Sequence, residues 1–259
     1  MVNYPEKERY DYQDLCAIMR ILRAPGGCVW DREQTHESIR RDFLEEVYEA
    51  CEAIDEGSAE HLCEELGDVL LQVVFHADIA EEAGQFTQLE VCDGVCRKLI
   101  YRHPHVFGDV SVSSSAEVLD NWDTLKRQEK AQESHTDALR AVSRTLPALW
   151  RAEKLQHKAA KAGVKQSAEE AAARVRAAAS NVSAAMYADT ISGALAEEKP
   201  DPAALGGALG ELLFAACGLC DSADLDPEAL LNAASERFLA RFAAAEDAGE
   251  PLDAKLLEV

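Results

Sequence analysis

Two short acidic patterns in the chain have residue types and spacings that could hold a metal ion. Phe43-Leu44-Glu45-Glu46-Val47-Tyr48-Glu49 carries E-E-x-x-E, and Glu65-Leu66-Gly67-Asp68 carries E-x-x-D. Three-residue spacing puts Glu46 with Glu49, and Glu65 with Asp68, on one face of a helix. Glu45 falls one residue back, at the edge of that face. Phe43, Val47, Ala50 and Ile54 trace an apolar stripe beside the first pair. Leu62, Leu66, Val69, Leu70 and Val73 do the same beside the second. Acids that border a core repel one another and lose hydration, which is costly without a cation. Hard oxygen ligands on a helical bundle suit Mg²⁺ or Mn²⁺, and the absence of histidine and cysteine from both patterns disfavours zinc. With 48 acidic residues the chain also has solvated acidic faces, so spacing alone leaves both readings open.

Further along, Lys98 and Arg102 stand one helical turn apart, as do Trp122 and Lys126. A cation pair beside a metal held by carboxylates is what a polyphosphate needs, neutralising its oxygens and positioning a leaving group. Taken by themselves, these residues are more simply solvated cations and a core tryptophan.

Helices must position these groups. Leu15, Ile18, Met19 and Leu22 form one stripe of a short helix over 14–23, ended by Ala24-Pro25-Gly26-Gly27. A loop through Cys28, Trp30 and Asp31 leads to Thr35, which is placed to cap a helix running to about Glu56. Gly57 stops that helix and Ser58 caps the next, which continues to about Ala83. Further helices are expected over 89–101, ending at His103-Pro104, and over 117–130. The connection Asp55-Glu56-Gly57-Ser58 is short enough to make an antiparallel hairpin, with Gly67 allowing close approach of its two helices. No segment alternates with period two, so the expected fold is all-α. Ser134 to Arg144 is polar and reads as a linker. The sequence beyond it echoes the first half: Leu209-Gly210-Glu211-Leu212-Leu213 repeats Leu66-Gly67-Asp68-Val69-Leu70, and Arg237 and Arg241 repeat the spacing of Lys98 and Arg102.

At 259 residues and 47% hydrophobic, the chain has material for one large domain or two ordinary ones. Its net charge of −22 argues against a general nucleic-acid binder, which needs a basic surface. The start, Met1-Val2-Asn3-Tyr4-Pro5-Glu6, is polar and unlike a signal peptide, and no stretch is expected to cross a membrane. A cytoplasmic location follows as the expectation, with all eight cysteines reduced. Cys217 and Cys220 form a lone C-x-x-C without a second pair, a weak signal for metal or redox chemistry. Cys92 and Cys96 share a helical face and read as packing residues.

The first half resembles the MazG family of nucleoside triphosphate pyrophosphohydrolases, in the all-α NTP pyrophosphatase superfamily. The similarity runs through about Asp14 to Lys130. It includes Gly27-Cys28-Val29-Trp30-Asp31-Arg32-Glu33-Gln34-Thr35, Leu44-Glu45-Glu46-Val47-Tyr48-Glu49, Glu64-Glu65-Leu66-Gly67-Asp68-Val69-Leu70-Leu71-Gln72-Val73-Val74-Phe75 and Arg102-His103-Pro104-His105-Val106-Phe107-Gly108-Asp109. Val29 departs from the proline usual in the family. The resemblance implies Mg²⁺-dependent hydrolysis of an NTP or dNTP to the monophosphate and pyrophosphate, with Glu46, Glu49, Glu65 and Asp68 as metal ligands. Glu45 would be a further ligand or orient water. Lys98, Arg102 and Lys126 match phosphate-contact positions, and Trp122 matches one that lines the nucleotide pocket. His103 and His105 belong to the family signature and read as structural. The family also implies a homodimer.

The resemblance further implies two tandem units: 1–133 catalytic, 134–144 a linker, and 145–259 a degenerate copy. Thr145-Leu146-Pro147-Ala148-Leu149-Trp150-Arg151-Ala152 matches the family's connection between units. From Ala171 to Ala196 the chain has no glutamate and a single aspartate, Asp189, while Ala208 stands where Glu65 stands and Glu211 where Asp68 stands. A lone acid cannot assemble the site, so the second unit reads as packing or dimerisation scaffold. The leading expectation is a house-cleaning or regulatory NTP pyrophosphohydrolase. Narrower substrates such as dUTP or phosphoribosyl-ATP fit the superfamily, and a pseudoenzyme that binds nucleotide or a partner without turnover is the reading from another class.

Overall fold

Short polar side chains set many of the helix boundaries. Asp11 caps α1 (Tyr12–Arg23), accepting from the backbone N–H groups of Gln13 and Asp14, while Asp14 closes back on the Asp11 N–H. The Asp14 carboxylate also binds the Lys7 ammonium and accepts from the Tyr4 hydroxyl at 2.7 Å, tying the N-terminal arm to α1. Those bonds lower its pKa to about 2, with the bond from Lys7 the largest cause. Gly57 ends α3 (Arg40–Glu56) in the left-handed conformation at φ 68°, and Ser58 caps α4 (Ala59–Glu82). The hairpin expected from that connection is present, with α3 packed along α4.

The computed structural model describes residues 4–129, 134–187, 201–249 and 257. Among these residues every regular element is helical and there is no strand, so the chain is all-α. It folds as two compact units, Met1–Leu125 and Lys126–Val259. The first contains α1, α2 (Val29–Glu33), α3, α4, α5 (Gln88–Arg102), α6 (Pro104–Phe107) and most of α7 (Ser115–Glu129), which runs across the division. Its core is small: Cys16, Met19, Ile39, Val74 and Phe75, with Tyr12, Leu15, Leu71 and Ile79 packed around them.

Several boundaries differ from expectation. The loop through Cys28, Trp30 and Asp31 contains α2, held by the Arg23 guanidinium, which donates to the Asp31 carbonyl. Thr35 does cap, but it caps a turn over 36–39 through reciprocal bonds with Ser38. The helix itself starts at Arg40, after Ile39 has been drawn into the core. His103 ends α5, but Pro104 restarts the chain as α6. Lys130, expected to end α7, lies outside the described residues.

In the second unit α8 (His135–Arg140) precedes α9 (Ala148–Lys161), α10 (Ala168–Tyr187), α11 (Pro202–Ser222) and α12 (Pro227–Ala248). The segment expected as a linker thus holds a helix capped by Ser134 and Asp137, with Ala138 and Val142 buried. Helices α10 and α11 pair as α3 and α4 do, and α9 packs on α11 as α1 packs on α4. Small residues are buried in α10 and α11: Ala171, Ala178, Ala215, Cys217 and Gly218.

The expectation that no stretch could span a membrane is corrected by α11. Its 21 residues include a window of mean hydropathy 1.7, long and apolar enough by length and composition. Apart from Glu211 and Asp221, this helix is built mainly of alanines, glycines and leucines.

Candidate functional site

The hairpin turn at Gly57 and Ser58 brings the two acidic patterns face to face. Glu46 and Glu49 project from α3 and Glu65 from α4, and one carboxylate oxygen from each lies within 4.8 Å of the others. Glu65 is buried, Glu46 half-buried and Glu49 exposed. Desolvation raises the Glu46 pKa first, followed by the charges of Asp68, Glu49, Glu65 and Glu45. The Glu49 pKa is raised by desolvation and by the charges of Glu65 and Glu45, together with a hydrogen bond to Glu65. Carboxylates crowded this closely repel one another, a charge that a bound cation would offset.

Asp68, one turn beyond Glu65, is half-buried and adds its charge to Glu46, but it does not join the three in their tight group. Glu45 is exposed at the rim, where its charge reaches both Glu46 and Glu49. The donors are all carboxylate oxygens, the set that Mg²⁺ and Mn²⁺ favour, so the residues fit such an ion.

One neighbour was missed. His61 reaches Glu65 through Nε2 at 3.1 Å and Glu56 through Nδ1 at 2.9 Å, bridging the two acids. The bond to Glu56 raises its pKa, assisted by both charges. His61 and Glu65 are four residues apart on one helix, so the signal was present in the sequence. The three-residue spacing that pairs the acids does not reach it, whereas a four-residue spacing does. A second overlooked residue is Gln72, buried on α4 four residues past Asp68 with no hydrogen-bond partner for its carbonyl oxygen.

The expected phosphate groups sit on α5 and α7. Lys98 is exposed on α5. Arg102, at the end of that helix, is buried, with its guanidinium 4.9 Å above the centre of the Trp122 ring. The pair links α5 to α7, a contact that sequence spacing had not suggested. Lys126 lies four residues after Trp122 on α7, beyond the division between units. His103 donates from Nδ1 to the Leu99 carbonyl at 2.6 Å and closes the end of α5, a structural task.

Two expectations about packing fail at this site. A Cβ placed on Gly67 would meet nothing within 4 Å, so the glycine serves no close helix approach. The stripes of α3 and α4 are also not core throughout: Val47, Ile54, Leu66 and Leu70 are exposed. The small core of the unit faces α1 instead, leaving the acid-bearing side of the hairpin uncovered. A cleft lined by Arg20, Arg23, Arg32, Asp78, Glu81 and Glu82 lies at the far end of α4, away from the acids.

The carboxylate group falls within a segment that known proteins share. Residues 34–107 match the MazG nucleotide pyrophosphohydrolase domain. The nucleoside triphosphate pyrophosphohydrolase/pyrophosphatase MazG of Thermotoga maritima is 39% identical over 238 residues, 91% of this chain and 86% of that protein. The nucleoside triphosphate pyrophosphohydrolase of Escherichia coli K12 is 38% identical over 229 residues, covering 88% and 84%. The uncharacterised Bacillus subtilis protein YabN is 48% identical over 147 residues, where the match spans 57% of this chain and 30% of the relative. With the all-α hairpin, its facing acids and near full-length similarity to two such proteins, the chain belongs to the MazG family.

Proposed function

We propose that the chain is a nucleoside triphosphate pyrophosphohydrolase, releasing pyrophosphate and a nucleoside monophosphate from NTPs or dNTPs with Mg²⁺ at the first-unit carboxylates. The observation that carries this reading is the convergence of Glu46, Glu49 and Glu65 from two helices in a setting that disfavours their charge. Bound there, Mg²⁺ (or Mn²⁺) would offset that charge and polarise the phosphate oxygens. Asp68 completes the ligand set beside Glu46, and Glu45 at the rim orients the attacking water. Lys98 and Arg102 hold phosphate oxygens, Trp122 lines the nucleotide pocket, and the sequence resemblance gives Lys126 a phosphate contact as well. The family names of the Thermotoga and Escherichia relatives support the same activity.

The working form is a homodimer. In α5 every residue from Leu89 to Tyr101 is exposed, including Leu89, Val95, Leu99, Ile100 and Tyr101. An apolar helix face of this extent, continuous in kind with the exposed stripes of α3 and α4, calls for a second copy. A cytoplasmic location accords with substrates of this class. The packing of α11 against α9 and α10 favours a place in the bundle over a membrane span.

The test is a panel of NTPs and dNTPs with Mg²⁺, followed by pyrophosphate release. Release that disappears in Glu46→Gln and Glu65→Gln, with unchanged helicity, supports the reading. No pyrophosphate from any nucleotide leaves a protein that binds without turnover and overturns it.

A further inference from the structure

The second unit lacks the acids of the first, but it has a different set of metal-ligating side chains. Glu153 and His157 lie four residues apart on α9, and Asp221 faces them from α11. One ligand atom from each lies within 4.8 Å of the others, with His157 Nδ1 only 2.9 Å from Asp221 Oδ1. Ligand atoms around a tetrahedral ion with bonds of about 2.0 Å stand about 3.3 Å apart, so the cluster is nearly at binding dimensions.

The two units differ in what surrounds this position. Aligning Leu66-Gly67-Asp68 with Leu209-Gly210-Glu211 puts Asp221 at the position of Asp78. In the first unit Asp78 is buried between two guanidiniums, Arg20 and Arg23, each at 3.8 Å. Arg20 lies six residues before Gly26 and His157 six before Gly163, both glycines of positive φ just past the helix end. His157 therefore takes the place of Arg20. The same register puts Glu153 at the position of Cys16, a core residue of the first unit. Where one unit sets two arginines among three acids, Asp78, Glu81 and Glu82, the other gathers two acids around an imidazole. That arrangement leaves negative charge to be offset, and it supplies the donors to offset it. On the same helix, Lys154 has its ammonium over the Trp150 ring.

We propose that Glu153, His157 and Asp221 bind a divalent transition-metal ion of the Zn²⁺ class, separate from the all-carboxylate group of the first unit. The mixed nitrogen and oxygen set selects against Mg²⁺, which favours oxygen alone. The ion cross-links α9 to α11, and the half-exposed His157 leaves a coordination position open to water. Its effect is therefore on the stability of the second unit.

The experiment titrates Zn²⁺ alone into the full-length chain carrying Glu46→Gln and Glu65→Gln, which removes competition from the first unit. Equilibrium dialysis gives stoichiometry and affinity, and a thermal melt gives the stability change. One Zn²⁺ per chain, with a raised Tm, is expected. Adding His157→Gln or, separately, Asp221→Asn should weaken binding about tenfold or more and remove the Tm rise, with far-UV circular dichroism unchanged. Absence of Zn²⁺ binding overturns the proposal. So does binding that survives both added substitutions, whether on thiols or on other acids.

Discussion

Single side chains define the chemistry of the first unit, and the pH dependence of that chemistry follows from their crowding. Glu46 and Glu49 have folded-state pKa values above the ordinary 4.5, so the folded chain binds more protons than the unfolded one just above that pH. Their contribution to stability is therefore lost as pH rises through the raised values, and it is harmless below 4.5. In Mg²⁺-free buffer the variant Glu46→Gln/Glu49→Gln should gain Tm over the parent as pH climbs from 4.5 to about 7, with no gain below 4.5. Equal melting at all pH values would show that the acids do not repel. His61 acts through Glu65, as a positioning residue. His61→Ala should raise the Mg²⁺ concentration needed for half-maximal pyrophosphate release by about tenfold, while saturating Mg²⁺ restores most of the rate. By contrast Glu211→Gln, which alters the lone acid of the second unit's echo, should leave pyrophosphate release as it is. The E-x-x-E and E-x-x-D spacings made the acids legible in advance. The four-residue spacing of His61 and Glu65 was equally legible, whereas the stacking of Arg102 on Trp122 was not, because it depends on where a side chain turns.

Helices and their connections decide how firmly those residues are held. The turn before α3 is pinned to α4 by His36 and His76, whose Nδ1 atoms lie 2.8 Å apart in stacked rings, with Phe43 against His76. Such a bond needs one neutral acceptor nitrogen. Burial lowers the His76 pKa below 6.5, and the charge of His36 adds to this. The unfolded chain then binds more protons below that pH, so this contact loses stability as pH falls through 6.5. A Tm that declines from pH 7 to 5.5 in the parent, and less in His76→Gln, is the expected result. The turn that closes α1 is equally exacting. A Cβ on Gly27 would stand 2.2 Å from the Leu22 carbonyl oxygen and 2.4 Å from that of Ile21, both backbone atoms that cannot swing aside. Gly27→Ala should cost about 2–4 kcal/mol in denaturant unfolding. Glycine, proline and capping residues marked most of these boundaries in the sequence. They could not mark α2, which is held by the Arg23 bond to a carbonyl, and Pro104, expected to close α5, instead restarts the chain as α6.

At the scale of the molecule, the feature to account for is apolar surface. A unit with so small a core leaves most of α5 and parts of α3 and α4 uncovered. Leu99→Glu, on the exposed face of α5, should convert a dimer into a monomer in sedimentation equilibrium without loss of helicity. Pyrophosphate release should fall with it. A parent protein that is monomeric at all concentrations would rule out the second copy as the cover. Much of this protein was determined by its sequence alone. The helical periods, the Gly57-Ser58 turn and the three-residue acid spacings specify an all-α hairpin with acids on one face, because they act over a turn or two of helix. Ordered motifs further specify the family. Only the tertiary structure decided which apolar stripes become core and that Asp68 stands beside the tight carboxylate group rather than in it. It also decided that Asp221 meets Glu153 and His157 across more than sixty residues. Those outcomes depend on how helices cross and which faces they bury, and periodicity carries no information about either.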